Sequence, residues 1–128
     1  MDVFDTFLNV AVLRRSLPMM LDGLWLTLQL GAASIVAGLV LGLIVALLGL
    51  YAVKPVRLLM RLYIDIFRSI PLLVLLIIVY YALPFVGLRL SSFASAMAAL
   101  TLVSGAYTAE IFRAGIEAIP RGQFEAAE

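Results

Sequence analysis

Between Gly23 and Val53 the chain carries no charged residue, a run of roughly thirty positions where about twenty apolar residues suffice to cross the hydrocarbon core of a bilayer. Two more uncharged runs follow, from Arg68 to Arg89 and from Arg89 to Glu110. Each is about one membrane thickness long as a helix. A helix buried in a water-soluble core would not stay free of charge over such lengths. The spacing predicts an all-α membrane protein with transmembrane helices at about 24–50, 60–83 and 92–117. Composition agrees, because 65% of the 128 residues are hydrophobic and only 13% are charged, against about half and a quarter in a soluble domain.

The residues that are missing narrow the chemistry. With no His and no Cys, the chain lacks the commonest general base, the commonest metal ligand and any thiolate. No metal site, no bound cofactor and no enzymatic step is expected of it. The net charge of +1 without a basic run gives no footprint for nucleic acid. Membrane lipid is the expected solvent for most of its surface.

The first uncharged run is too long for a signal-peptide core of about 7–15 residues and starts too far from Met1, so it is expected to remain as a span. Residues 1–22 form a separate N-terminal piece. There Phe4, Phe7, Leu8, Ala11 and Val12 sit at helical spacing ahead of Arg14, Arg15 and an expected break at Pro18. The pattern fits a short interfacial helix or a loosely ordered tail. Lys54, Arg57 and Arg61 lie between the first two spans, with Arg68 just beyond, and Arg113 and Arg121 follow the third. Arg14, Arg15 and Arg89 lie on the other side. This bias predicts an N-terminus outside, a cytoplasmic 51–61 loop, an external 84–91 loop and a cytoplasmic C-terminal end.

Gly31, Gly38, Gly42 and Gly49 recur at intervals of seven, four and seven, which places them on one face of the first span. Ala94, Ala98, Gly105 and Ala109 form a similar face on the third. Small residues let helix backbones approach closely in lipid, so these faces predict a packed bundle. In the second span, Ser69-Ile70-Pro71 predicts a kink, since proline cannot donate to the carbonyl four residues back. The kink is either a packing feature or part of a transport pathway, where irregular backbone is tolerated. Asp65 with Arg68, and Glu110 with Arg113, are each spaced i, i+3 and share a helix face. Charges at membrane depth face protein or water and pair. The expected cluster joins Asp65 to Arg113 and Glu110 to Arg68, with interfacial snorkelling as the alternative for Arg113.

After the third span, Pro120-Arg121-Gly122 predicts a turn. Gln123 to Glu128 then begin a helix in which Glu125 suits the positive end of the dipole and Phe124 and Ala127 share a face. "GAYTAEIFRAGIEAIPRGQFEAAE", from Gly105 to Glu128, resembles the end of the third helix and the start of the EAA loop in permease subunits of ABC-type polar amino acid importers. "DGLWLTLQLG" at Asp22–Gly31 and "FRSIPLLVLLIIVYYALP" at Phe67–Pro84 are similar to that family's first and second helices. Ser69-Ile70-Pro71 stands where relatives often have Gly-Thr-Pro.

The resemblance implies that residues 23–128 are the N-terminal part of an importer transmembrane domain, ending inside the coupling helix, and that this piece alone does not transport. It implies a second permease subunit, identical or different, a cytoplasmic ATPase subunit that holds the ATP, an extracytoplasmic substrate-binding protein, and a place in the bacterial cytoplasmic membrane. Gln123, Phe124, Glu125, Ala126 and Ala127 are implied to dock on the ATPase. Ser69, Pro71, Tyr107 and Glu110 are candidates for the pathway, with Tyr107 also readable as a packing tyrosine. A different reading takes the chain as a small self-assembling transporter that binds a proton or cation at Glu110. An inert membrane scaffold would explain the glycine faces but not the buried charges.

Overall fold

The computed structural model describes residues 3–127, and every regular element among them is helical. Met1, Asp2 and Glu128 lie outside the described residues. Two compact units are present, Met1–Gly31 and Ala32–Glu128.

The N-terminal unit begins with α1, Val3–Phe7. Asn9 then caps α2, its Oδ1 accepting from the backbone N–H of Ala11 at 3.1 Å and of Val12 at 3.3 Å, as an N-cap side chain does. Helix α2 runs over 42 residues, Val10–Tyr51. The expected break at Pro18 is absent: Pro18 lies inside α2. The helix that contains the first span therefore begins well before residue 24. One missing N–H costs a helix a single bond, and the apolar neighbours on both sides keep their own.

In the second unit, α2 ends at Tyr51, and Val53 with Pro55 starts α3, Lys54–Ser69. Pro55 sits in the first turn, where its missing N–H has no intrahelical partner to lose. The sequence led to one kinked span over 60–83, and in the structure the kink is a full break between two helical pieces. Ile70 has φ −81° and ψ 127°, and Pro71 has φ −58° and ψ 137°, so two successive residues leave helical space. Proline disfavours the helical region for the residue before it. The chain separates into α3 and a second helical piece, Leu72–Val86, bent from it by 104°. That piece starts as α4, Leu72–Ile77, opens into a π-helical turn at Ile78–Ala82, and tightens to a 3-10 turn at Leu83–Val86. Gly87, at φ 89°, ends it in the left-handed conformation that glycine adopts without steric cost.

Helix α5 occupies Ser92–Glu117, as the 92–117 reading has it. Ser91 Oγ caps it by accepting from Ala94 N–H at 3.1 Å. Beyond Ala118 the chain turns, Pro120 O accepts from Gln123 N–H at 2.9 Å, and α6 covers Arg121–Ala127. Among the described residues two helices are long and apolar enough to cross a membrane, and a third span results if the bent pair counts as one.

The core of the second unit follows α5. Val45 and Ala46 of α2, Ile64 of α3 and Ala109 of α5 form one buried cluster, flanked by Leu41, Met60, Tyr63 and Phe112. Leu75, Val79 and Ala99 form another. Ala99, Ala106 and Ala109 are fully buried, so this helix meets its neighbours through its smallest side chains. Such contacts rest on dispersion between close backbones, the force available where lipid and side chains are equally apolar. Leu39, Val40, Leu43, Ile44 and Leu47 of α2 stay exposed, the surface expected to meet acyl chains.

Candidate coupling and pathway elements

The glycines of α2 act differently along its length. A Cβ on Gly38 would lie 2.8 Å from Ser104 Cβ, and one on Gly42 would lie 2.7 Å from Thr108 Cβ and 3.0 Å from Ala109 N. Both are tighter than carbon contacts allow, so these positions set the approach of α2 to α5. Gly105 answers from α5, where a Cβ would meet Leu41 Cδ2 at 2.8 Å. Gly49 has only an ordinary neighbour, Met60 Cβ at 3.7 Å, and around Gly31 a Cβ would meet nothing within 4 Å. The close contact is thus confined to the central G-x-x-x-G.

Tyr63 of α3 ties the third helix in. Its hydroxyl donates to Leu102 O of α5 at 2.5 Å, and its ring stands 5.0 Å from that of Phe67. Sequence reading passed over Tyr63. The available signal was a tyrosine on the α3 face opposite the charges, since a half-buried Tyr needs a partner for its hydroxyl.

The charged side chains at the end of α3 and on the second half of α5 form a chain of contacts that differs in part from the expected one. Arg113 donates to Glu110 through Nε at 3.1 Å and through an Nη at 2.7 Å, a bidentate fork. Its other Nη reaches Glu117 at 3.1 Å. Arg68 approaches Glu110 at 3.9 Å, the edge of an ion pair. Asp65 is not joined to Arg113: among the described residues its carboxylate makes no ion pair. The reason is local, because Glu110 and Glu117 flank Arg113 one turn away on its own helix and take its donors first. Glu117, missed in the sequence, was visible there as the i+4 partner of Arg113.

Arg68 also lies over the Tyr107 ring, 5.4 Å from its centroid, within the range of a cation–π contact. The Tyr107 hydroxyl donates to Arg68 O at 3.4 Å, next to the break. Ser69 does not face this cluster with its hydroxyl, which donates back to Asp65 O at 2.6 Å, the back-bond a helical serine makes to the carbonyl four residues earlier. Pro71 is the N-cap residue of α4. Tyr107, Glu110 and Arg68 are thus brought together at the broken helix, while Asp65 and Ser69 close local bonds.

Beyond the C-terminal end of α5, α6 is polar and exposed. Arg121 and Glu125 pair along it at 3.5 Å, both largely in solvent, where such pairs contribute little. Glu125 therefore has an intrahelical partner of its own. Phe124 is 45% exposed and borders a cavity of about 570 Å3 whose other walls include Leu50, Tyr51, Ile116 and Pro120. Gln123, Ala126 and Ala127 are exposed. No cluster of His, Cys, Asp or Glu fit to hold a metal exists among the described residues.

Comparison with known proteins places these elements. Residues 38–128 match the family described as binding-protein-dependent transport system inner membrane component. The probable glutamine ABC transporter permease protein GlnM of Bacillus subtilis is 38% identical over 120 residues, 94% of this chain and 56% of that protein. The arginine transport system permease protein ArtQ of the same organism is 41% identical over 112 residues, 87% of this chain and 51% of that protein. The crystal structure of an amino acid ABC transporter with histidines superposes with a TM-score of 0.83 at 38% identity, over 91% of this chain and 55% of that one. The chain thus spans about half the length of the relatives it matches. The helical order, the broken second element and the short helix after α5 all lie within the matched region, and the chain belongs to the family of binding-protein-dependent transport system inner membrane components.

Proposed function

We propose that this chain is part of a permease subunit of an ATP-driven importer for polar amino acids or related compounds, and that α6 is the lever on which a separate ATPase subunit acts. The observation that carries the reading is α6 itself: a seven-residue helix joined to α5 by the Pro120 turn, with a half-exposed aromatic and no buried residue. A helix of that length is unstable alone, since isolated helices below about 12–15 residues are marginal in water. A docking partner supplies what it lacks. Phe124 is the anchor, Ala126 and Ala127 permit close approach, and Gln123 and Glu125 offer polar contacts at the rim. Family membership and the names of the relatives, which include glutamine and arginine permeases, support the transport class.

In this reading ATP is bound and hydrolysed by the partner, and a second permease subunit completes the pathway. A substrate-binding protein delivers from the opposite face. The Lys and Arg bias puts α6 in the cytoplasm and residues 1–22 outside the bacterial cytoplasmic membrane, with residues 23–128 as transmembrane domain. Closure of the ATPase pair pulls α6, and α5 transmits the movement to the cluster of Tyr107, Glu110 and Arg68 beside the Ser69–Pro71 break. The shift requires only that ATP-bound ATPase bind one arrangement more tightly than the other.

The test is Phe124→Ala in the complete permease, reconstituted with its ATPase and binding protein in proteoliposomes. Loss of an aromatic anchor should lower binding-protein-stimulated ATP hydrolysis and uptake by about tenfold or more, with subunit insertion unchanged. Full coupled activity in both Phe124→Ala and Phe124→Asp would refute the docking role.

A further inference from the structure

We propose that the junction between the π-helical turn and α5 binds the phosphate of an anionic phospholipid, with Arg89 as its principal ligand. Arg89 is the single charge between Arg68 and Glu110, and it forms no ion pair among the described residues. An exposed guanidinium without an ion pair in so apolar a stretch is free to take a counter-charge from outside the described residues. It lines a cavity of about 530 Å3 together with Tyr80, Tyr81, Pro84, Phe85 and Leu90. That size lies within the range of small-molecule sites, about 300–1,000 Å3.

The position is an interface. Helix α5 has 26 residues, about 39 Å against a hydrocarbon core of about 30 Å, so its first turn reaches the headgroup level. Arg89 and Leu90 stand just before Ser91, the residue that caps α5. The positive end of a long helix thus adds to the guanidinium in favouring an anion. Tyrosines at this depth are usual, ring toward the acyl region and hydroxyl toward the headgroups. Tyr80 and Tyr81 meet edge to face at 4.9 Å.

A second cavity, about 260 Å3, shares Tyr80 and Tyr81 and is otherwise walled by Leu76, Ile77, Ala96 and serines of α5. It is the apolar counterpart that an acyl chain requires beside its headgroup. Ser95 supplies the independent sign of a ligand. It is 3% exposed, lines this cavity, and its hydroxyl has no hydrogen-bond partner. A buried hydroxyl without a partner is costly and uncommon, and a turn of the side chain toward the cavity would let it donate to a lipid ester oxygen. Phe85, 90% exposed, and Val86, 74% exposed, crown the loop. Such a surround fits a bilayer rather than the polar rim of a protein interface.

The experiment is native mass spectrometry of the complete detergent-solubilised transporter titrated with dioleoylphosphatidylglycerol, dioleoylphosphatidylcholine or inorganic phosphate. The wild type should prefer the anionic lipid by about tenfold, the loss expected for one charge-assisted bidentate contact. Arg89→Gln should abolish that preference, and Arg89→Lys should retain part of it. An unchanged preference in Arg89→Gln overturns the site. Binding of inorganic phosphate with the affinity of the lipid overturns the lipid assignment in favour of a free anion. An Arg89→Gln transporter that keeps the lipid preference but loses affinity for the binding protein makes this surface a protein-docking face, and the proposal is then wrong.

Discussion

Replacing Gly42 by alanine tests the packing of the bundle with a single methyl group. The new Cβ would stand 2.7 Å from Thr108 Cβ, 2.9 Å from Thr108 Cγ2 and 3.0 Å from Ala109 N. Carbon atoms sit comfortably at about 3.5–4.0 Å, so α2 and α5 must separate by about 1 Å locally. No rotamer change relieves the clash, because a Cβ and a backbone nitrogen are fixed to the helix. Overpacking of this kind costs about 1–3 kcal/mol. Alanine also favours a helix over glycine by about 0.8–1.0 kcal/mol, so the net loss expected is about 0–2 kcal/mol. The comparison that isolates the clash is Gly31→Ala, where the methyl meets nothing and only the helix-favouring gain remains. Thermal denaturation of both variants in one detergent should therefore place Gly42→Ala below Gly31→Ala by about 1–3 kcal/mol. Thr108→Gly, which removes two of the three offending atoms, should restore part of the loss in the double variant. Gly42→Ala equal to Gly31→Ala, with no effect of Thr108→Gly on the difference, would refute the argument that this face sets the interhelical distance.

Two further changes address the ties between α3 and α5. Tyr63→Phe removes the bond to Leu102 O while leaving the ring, and should cost about 0.5–1.5 kcal/mol in the same denaturation assay; a larger loss would mean that the ring's packing is disturbed too. A double-mutant cycle with Arg68→Gln and Glu110→Gln should give a coupling of at most about 1 kcal/mol, because the pair is long and partly exposed, and a coupling above about 2 kcal/mol would show the 3.9 Å separation to understate it.

Much of this was legible in the primary structure because it depends on local rules. The place of α5 follows from the uncharged run, and the turn before α6 from Pro120 and Gly122. The G-x-x-x-G was readable as a packing face, yet only the structure distinguishes Gly38 and Gly42, pressed on α5, from Gly31, which is open. Periodicity assigns residues to a face without saying where along the helix a neighbour lies. Pro18 and Pro71 make the same point from the other side. Each removes one donor, but Pro18 stays in a helix while Ile70 and Pro71 both turn extended, and the choice depends on what the following segment packs against.

What the sequence determined by itself is therefore the solvent and part of the elements: uncharged runs long enough for a bilayer, the extent of α5 with the turn after it, and the small residues that permit close helices. These follow from hydropathy and backbone sterics, which act within a few residues. Tertiary structure decided the 104° turn between α3 and the segment after it and the meeting of Arg68 with Tyr107. It also decided that Arg113 keeps Glu110 and Glu117 rather than Asp65. A contact between distant residues depends on which competing partner lies nearer, and distance is a property of the fold.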